Sequence, residues 1–477
     1  MKRRIVALCL MLVMILPMIA ACGEANIDGT TEPSVTTTKT THPPPPHMLG
    51  YLYRILDFDA FPQTIESDVV TIVDKGIYRR NELVKSRFNI GITAETRSYA
   101  TWWENTSIVK RLAAAERAEY DLVTLVLEHA FAEVLNGNVV AACDLPNVVD
   151  MSKPWHHQSL NDSTTVDGVP LFDFTAMDVQ PGGECLIFNR DLADELNLDD
   201  PYDLVNEGVW TYDAMWQMAK TAACDLDKYP GWTEEDRCGF VSDYRQMTTL
   251  VQLGTGEFFV NLGDGAPSLN KSEELVDLLF EATEALSQEG VVSKSFDVWD
   301  TTEMFNLEGR KHFENDLSMF ILGATDHLKE FGDMESDFGI LPYPKKNAEQ
   351  SRYYVPASSL GTISMILSCH GDIEFAALVK EALAVESLNY YYPAYYEQTA
   401  KNRYLRDERD LDMLKIITDS AVVDLGNTVW YVEIRNRIAE ELYWRRGTAF
   451  EEKLDDITPY ADVLIDNLMD FVNSKKN

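Results

Sequence analysis

Residues 184–190 read ECLIFNR, followed by DLADELNL at 191–198, a break at Pro201, and VWTYDAMWQMAKTAA at 209–223. The first segment is strand-length and apolar, and the second is a short leucine-rich helix. Thr211 stands where its hydroxyl can cap a helix that begins at Tyr212. The same alternation of short β-rich runs and longer helical stretches extends towards the N-terminus. Arg54 to Phe58 reads as a strand, and Ile77 to Phe88 as an amphipathic helix with Leu83, Val84 and Phe88 on its apolar side. Ile90 to Thr96 reads as the next strand and Glu104 to Arg117 as a helix. Tyr120 to Leu127 is almost continuously apolar, the pattern of a strand buried on both faces of a parallel sheet. The pattern predicts α/β layers with parallel strands.

At the N-terminus, basic Lys2, Arg3 and Arg4 precede an apolar run from Ile5 to Leu16 and the residues Ile19, Ala20, Ala21 and Cys22. A basic start, an apolar stretch too short to span a bilayer comfortably, and small residues before a cysteine are the marks of a lipoprotein signal. Residues 1–22 are therefore expected to be the signal together with the lipidated Cys22. Residues 23–49 are rich in Thr and Pro, with Pro43 to Pro46 in a row. So few apolar side chains cannot offset the entropy of ordering, and the segment reads as an extended tether for the body from residue 50 onward. Membrane attachment is expected through the lipid only, on the outer face of the cytoplasmic membrane.

The body is long enough for two lobes, and 45% hydrophobic residues is a globular proportion. The whole chain's 78 acidic against 41 basic residues, a formal charge of -37, argue against nucleic acid or an anionic membrane surface as a partner. Beyond Cys9 and Cys22 there remain Cys143, Cys185, Cys224, Cys238 and Cys369, an odd number without Cys-x-x-Cys spacing, unlike a disulfide framework or a zinc centre. No GxSxG elbow, HExxH helix, phosphate-binding loop or dinucleotide fingerprint occurs.

The order of the 184–223 segments, a strand ending in Ile-Phe-Asn-Arg-Asp, a short leucine-rich helix and Trp-Thr-Tyr-Asp opening another, resembles the extracellular solute-binding proteins of family 1. These are the maltose-binding-protein-like sugar-binding lipoproteins of ABC importers. EMFNLEGRKHFENDLSMF at 303–320, FGILPYPK at 338–345 and Val429 to Arg437 are similar to further segments of that family, in the same order. The resemblance implies an α/β, two-lobed periplasmic-binding-protein-like fold of type II, with hinged lobes and a ligand cleft between them. It implies a first lobe of 50–181 plus about 362–400 and a second of 183–360 plus about 401–477. It implies a monomer without cofactors or catalysis that captures a carbohydrate and delivers it to ABC transporter permease subunits.

A sugar cleft needs flat aromatic faces and hydroxyl-pairing side chains, and in such folds cleft positions follow the C-terminal ends of strands. By that rule the loop after the first strand offers Asp57 and Asp59, the next offers Trp102 and Trp103, and the third strand ends at Glu128 and His129. Glu184 stands beside Gly182 and Gly183, whose backbone freedom suits a hinge. Asp326 follows the strand containing Met319. Trp430 and Tyr431 match the family position where an aromatic stacks on sugar; Trp430 is the first choice, with packing between helices as its alternative. The tyrosines of NYYYPAYYEQ at 389–398 are expected to form a packed rim near the lobe junction.

Some members of the resembled family carry a calcium loop where this chain has DLDKYPGWTEED at 225–236. Asp225, Asp227, Thr233 and Asp236 keep ligand positions, but Tyr229 replaces a ligand and Pro230 cannot make the glycine turn. The loop therefore reads as degenerate and without metal, and a disulfide between the flanking Cys224 and Cys238 is the hypothesis for its replacement clasp. Two other functions remain open: a surface glycoside hydrolase, which needs two carboxylates across a scissile bond, and a binding protein for peptides or other solutes on the same fold.

Overall fold

Strand β1 (Leu52–Phe58) leads to helix α1 (Ile72–Phe88), β2 (Gly91–Arg97), α2 (Trp103–Ala114), β3 (Leu122–Val126) and α3 (Leu127–Leu135). There follow β4 (Glu184–Asn189), α4 (Tyr212–Ala222), β5 (Cys238–Val241), α5 (Glu273–Ser287), β6 (Ser318–Ala324) and β7 (Phe338–Leu341). The chain ends with β8 (Thr362–Met365), α6 (Ile373–Glu386), α7 (Arg409–Asp419), α8 (Arg435–Arg445) and α9 (Phe450–Lys476). This computed structural model describes residues 50–476 apart from 60–61, 66–68, 179–182, 228, 243, 264–265, 289, 294–306, 358–360, 402–404 and 446–448. The signal, Cys22, the tether and Gly182 lie outside the described residues. Among those described, no helix is long and apolar enough to cross a membrane.

The strands form two separate four-stranded sheets, ordered β8-β3-β1-β2 and β7-β4-β6-β5. The segment ECLIFN is β4, an inner strand of the second sheet, with Cys185 to Asn189 buried. Thr211 caps α4, accepting a hydrogen bond from the Ala214 N–H at 3.3 Å. Helix α1 starts at Ile72 rather than Ile77, because Thr71 and Asp74 form a reciprocal capping box that satisfies the first turn's donors.

The expectation of parallel sheets holds only in part. β1 runs parallel to β2 and β3, and β5 parallel to β6, but β8 is antiparallel to β3, and β4 is antiparallel to both β6 and β7. An apolar run reports burial on two faces and not direction. β8 enters its sheet from the other lobe, so no right-handed helical crossover from its neighbour dictates its sense.

The chain changes sheets between Asp178 and Gly183 and between Ala357 and Gly361, and after Lys401 it returns to the second sheet's side, where α7 packs against β7. Buried Asp178 ties the first two passages together on the first-lobe side. Its carboxylate accepts from the Thr175 hydroxyl at 2.8 Å and from the Ser364 N–H at 2.7 Å. On the second-lobe side Val355–Pro356 pairs with Ala421–Val422, and the backbone at Gly183 lies against Val355.

A buried ionic cluster secures α6 to the segment before the first passage. Asp173 accepts from Lys380 Nζ at 3.1 Å and lies 2.6 Å from His156 Nδ1, while Glu381 accepts from the Trp155 indole at 2.7 Å. The tyrosine run forms a turn of π-helix (Ser387–Tyr391) and a helix, Tyr392–Lys401, whose rings pack at centroid separations of 6.2 to 6.4 Å. That turn lies so close to α1 that a Cβ at Gly76 would fall 2.7 Å from the Tyr390 carbonyl oxygen, which explains the glycine.

Candidate functional site

Loops at the C-terminal ends of β1, β2 and β3 build one wall. The Asp59 carboxylate accepts the Tyr99 N–H at 2.8 Å and so ties the loop after β1 to the turn that delivers Trp102 and Trp103. Trp103 is 50% exposed, and its ring meets that of half-buried Trp102 edge-on at 5.7 Å. Two adjacent rings at a helix start cannot both enter the core. Trp102 instead covers His129, with ring centroids 4.5 Å apart, and His129 Nδ1 lies 2.6 Å from the Thr106 hydroxyl. Burial and the charge of Lys110 lower the His129 pKa, and the charge of Glu133 opposes them.

Glu128, beside it in the first turn of α3, shares a hydrogen bond with Tyr431. Burial raises the Glu128 pKa, Tyr431 opposes that shift, and the nearby charge of Glu433 adds to it. Tyr431 follows a turn of π-helix, Leu425–Val429, and the Arg435 guanidinium lies 5.1 Å from its ring centroid. Such turns concentrate at functional sites. This one is fixed by Asp424, whose buried carboxylate accepts from the Phe259 N–H at 2.9 Å, the Val260 N–H at 3.2 Å, the Gly426 N–H at 3.1 Å and the Gln252 amide at 2.8 Å.

On the second lobe's sheet Glu184 accepts the Tyr343 hydroxyl at 2.7 Å. Burial and Glu184 hold the Tyr343 pKa well above its ordinary value, and the charge of Arg435 opposes them. Trp102, His129, Glu128, Tyr431, Arg435, Tyr343 and Glu184 thus form a chain of neighbours from the first sheet's loops to the second sheet. Three of the seven are Trp or Tyr, and the other four carry carboxylate, imidazole or guanidinium groups, side chains able to pair with hydroxyls.

The structure places Trp430 differently from its neighbour. It is 5% exposed and meets Phe131 of α3 edge-on at 5.7 Å, a packed ring at the junction of the lobes. Asp57 is fully buried, accepts the Gln63 N–H at 2.7 Å, and is pushed by burial up to about 6. Asp326 is the second residue of a short 3-10 helix, Thr325–Phe331, after β6; its side chain lies outside what is described. Arg435, Tyr343, Thr106 and Asp424 were not singled out from sequence. Only the Asp-Leu-Gly at 424–426, a short polar residue capping a turn, carried a local signal.

The proposed clasp is corrected. All five cysteines among the described residues are free. Cys224 pairs across an isolated bridge with Arg237, exchanging backbone hydrogen bonds at 2.8 and 3.0 Å. Cys238, one residue on, therefore points to the opposite face and into the core. Thiol titration of the denatured chain is expected to give the same count with and without reductant; a gain of two on reduction would restore the bridge. The loop closes by its own side chains. Asp236 accepts from the Leu226 and Thr233 N–H groups at 2.7 Å each, and Asp227 from the Tyr229 N–H at 2.7 Å and the Thr233 hydroxyl at 2.6 Å. The carboxylates of Asp225, Asp227 and Asp236 approach within 4.8 Å of one another, but the hydrogen bonds already engage two of them.

Two sheet-centred lobes with passages of the chain between them match the two-lobed α/β fold of periplasmic binding proteins. Solved structures with this fold include Mycobacterium tuberculosis UspC, with TM-score 0.59 and 12% identity over 86% of this chain and 98% of that one. The sugar-binding protein MalE of Xanthomonas citri gives TM-score 0.59 and 12% identity over 87% and 99%. A cyclo/maltodextrin-binding protein complexed with maltotetraose gives 0.56 and 13% over 86% and 97%. No family model matches the chain, and no curated protein matches its sequence.

Proposed function

We infer that the chain is a lipid-anchored solute-binding protein that captures a carbohydrate, an oligosaccharide, between its lobes and delivers it to an ABC permease without altering it. The observation that carries this reading is the run from Trp102 through Glu128 and Tyr431 to Glu184, in which each lobe supplies half of a site suited to rings and hydroxyls. Ligand bound to both halves stabilises the lobe arrangement that joins them, and that arrangement is the signal a permease reads. The fold is shared with a maltodextrin-binding protein holding maltotetraose. Cys22 provides the anchor on the outer face of the membrane, and the 23–49 tether gives the body reach.

Thermal unfolding of the full-length chain in detergent, against oligosaccharides with amino acids and short peptides as controls, tests the reading. Ligand at a hundredfold over its dissociation constant adds about 2.7 kcal/mol of stability. A rise with one sugar class, and recovery of that sugar intact, is expected. A cleaved product would establish a glycoside hydrolase, and a rise with peptides alone would move the ligand class. Trp102→Ala is expected to weaken sugar binding about tenfold to thirtyfold by calorimetry, since removing a stacking aromatic at a site's centre costs about 1.5–2 kcal/mol. Its unfolding midpoint without ligand should also fall, because the ring is partly buried against His129 and Trp103, so calorimetry is done well below that midpoint.

A further inference from the structure

The geometry points to the C-terminal helix α9 as a strap across both lobes, latched to the first lobe by its last turn and holding the walls of the cleft together. A stripe of Phe450, Leu454, Ile457, Ala461, Ile465, Leu468 and Val472 is buried along its whole length. The stripe does not face one lobe. Its early part packs on α5 and α8 of the second lobe, with Phe450 edge-on to Phe280 at 5.2 Å, while the helix also lies against α3 and Val169–Pro170 of the first. At the far end Lys475 Nζ lies 2.5 Å from Asp144, and Lys476 pairs with Asp167, both acids belonging to the first lobe.

These pairs lie at the helix C-terminus, where cations also offset the helix dipole. Both are partly exposed, so each contributes modestly and is screened by salt. Their leverage comes from position. α9 touches α3, and the first turn of α3 carries Glu128, which meets Tyr431 across the cleft. The latch and the Glu128–Tyr431 contact occur in one lobe arrangement, so removing the latch shifts the population away from that arrangement and opens the seam between the walls. The inference concerns the chain without ligand and stands whatever the cleft binds.

Amide hydrogen exchange of the full-length chain without ligand tests it, comparing the parent with the K475Q/K476Q double variant. Exchange at Gly426–Ile434 and in the first turn of α3 is expected to quicken about fivefold, the factor that two surface ion pairs of this kind supply. Half-molar salt should do the same to the parent and little more to the variant. Swapping one pair, K475D with D144K, should restore slow exchange. Faster exchange confined to residues 470–476, with the Gly426–Ile434 seam unchanged, would reduce the latch to a fraying helix end and overturn the inference.

Discussion

Asp424→Ala is expected to lower the unfolding free energy by about 3 kcal/mol and to weaken the carbohydrate binding proposed above about tenfold or more. Asp424 is a buried carboxylate accepting from three backbone N–H groups and one amide, and alanine leaves those donors in a site where nothing replaces the acceptor. Each stranded buried donor costs about 1–3 kcal/mol, and partial relaxation or an entering water recovers part of the sum. Binding suffers because this carboxylate holds the turn at 425–429, and the turn aims Tyr431 at Glu128. Burial holds the Asp424 carboxyl up at about 6. A folded pKa above the unfolded value of about 3.9 means that this group's ionisation works against the fold. Its stabilising contribution is full below about pH 4 and is lost as pH rises through 6. Urea unfolding of both chains at pH 5 and 7, with calorimetry of sugar binding, gives the numbers; a loss under 1 kcal/mol with unchanged affinity would show that Asp424 does not set the turn.

That residue also marks where sequence reading stopped. The two lobes were legible because their strands are local runs: ECLIFN, FGIL and the stretch from Leu122 to Val126 each carry their burial in adjacent residues. The candidate site brings together residues far apart in the chain. Trp102 and His129 touch across 27 positions, and Glu184 and Tyr343 across 159. No periodicity encodes such pairs. Trp430 and Tyr431 show the limit most sharply, since neighbours on a helical turn point about 100° apart and the turn of π-helix before them alters the phase. The sequence located the aromatic pair, but the turn held by Asp424 decides which ring packs on Phe131 and which meets Glu128. The start of α1 is different, because the capping-box spacing of Thr71 and Asp74 marks it locally, ahead of the apolar pattern that begins at Ile77.

The largest loss of stability is expected from Asp173→Ala, about 3–5 kcal/mol, with the cleft chemistry left in place. Asp173 is almost wholly buried between Lys380 and His156, and both partners are buried as well. Removing it leaves Lys380 and His156 buried with Glu381 and Asp178 alone to balance them, and breaking a buried pair from one side costs that much because the remaining charge is under-compensated. The pH profile carries the signature. Burial alone would raise the Asp173 pKa, but Lys380 and then His156 outweigh it and hold the carboxyl at about 2. Burial would likewise lower His156, yet its hydrogen bonds and charge interactions with Asp173 and Glu381 raise it to about 9. A depressed acid contributes stability that is present above its unfolded pKa of about 3.9 and lost as pH falls through 2; a raised histidine contributes stability that is full below about 6.5 and lost as pH rises through 9. The parent should therefore be most stable, as far as this cluster decides, between about pH 4 and 6.5. In Asp173→Ala the alkaline decline between 6.5 and 9 should shrink, because His156 keeps only Glu381 to hold its proton. Chemical unfolding at half-unit steps from pH 4 to 9.5 distinguishes this from a packing defect, which would lower the whole curve without changing its slope.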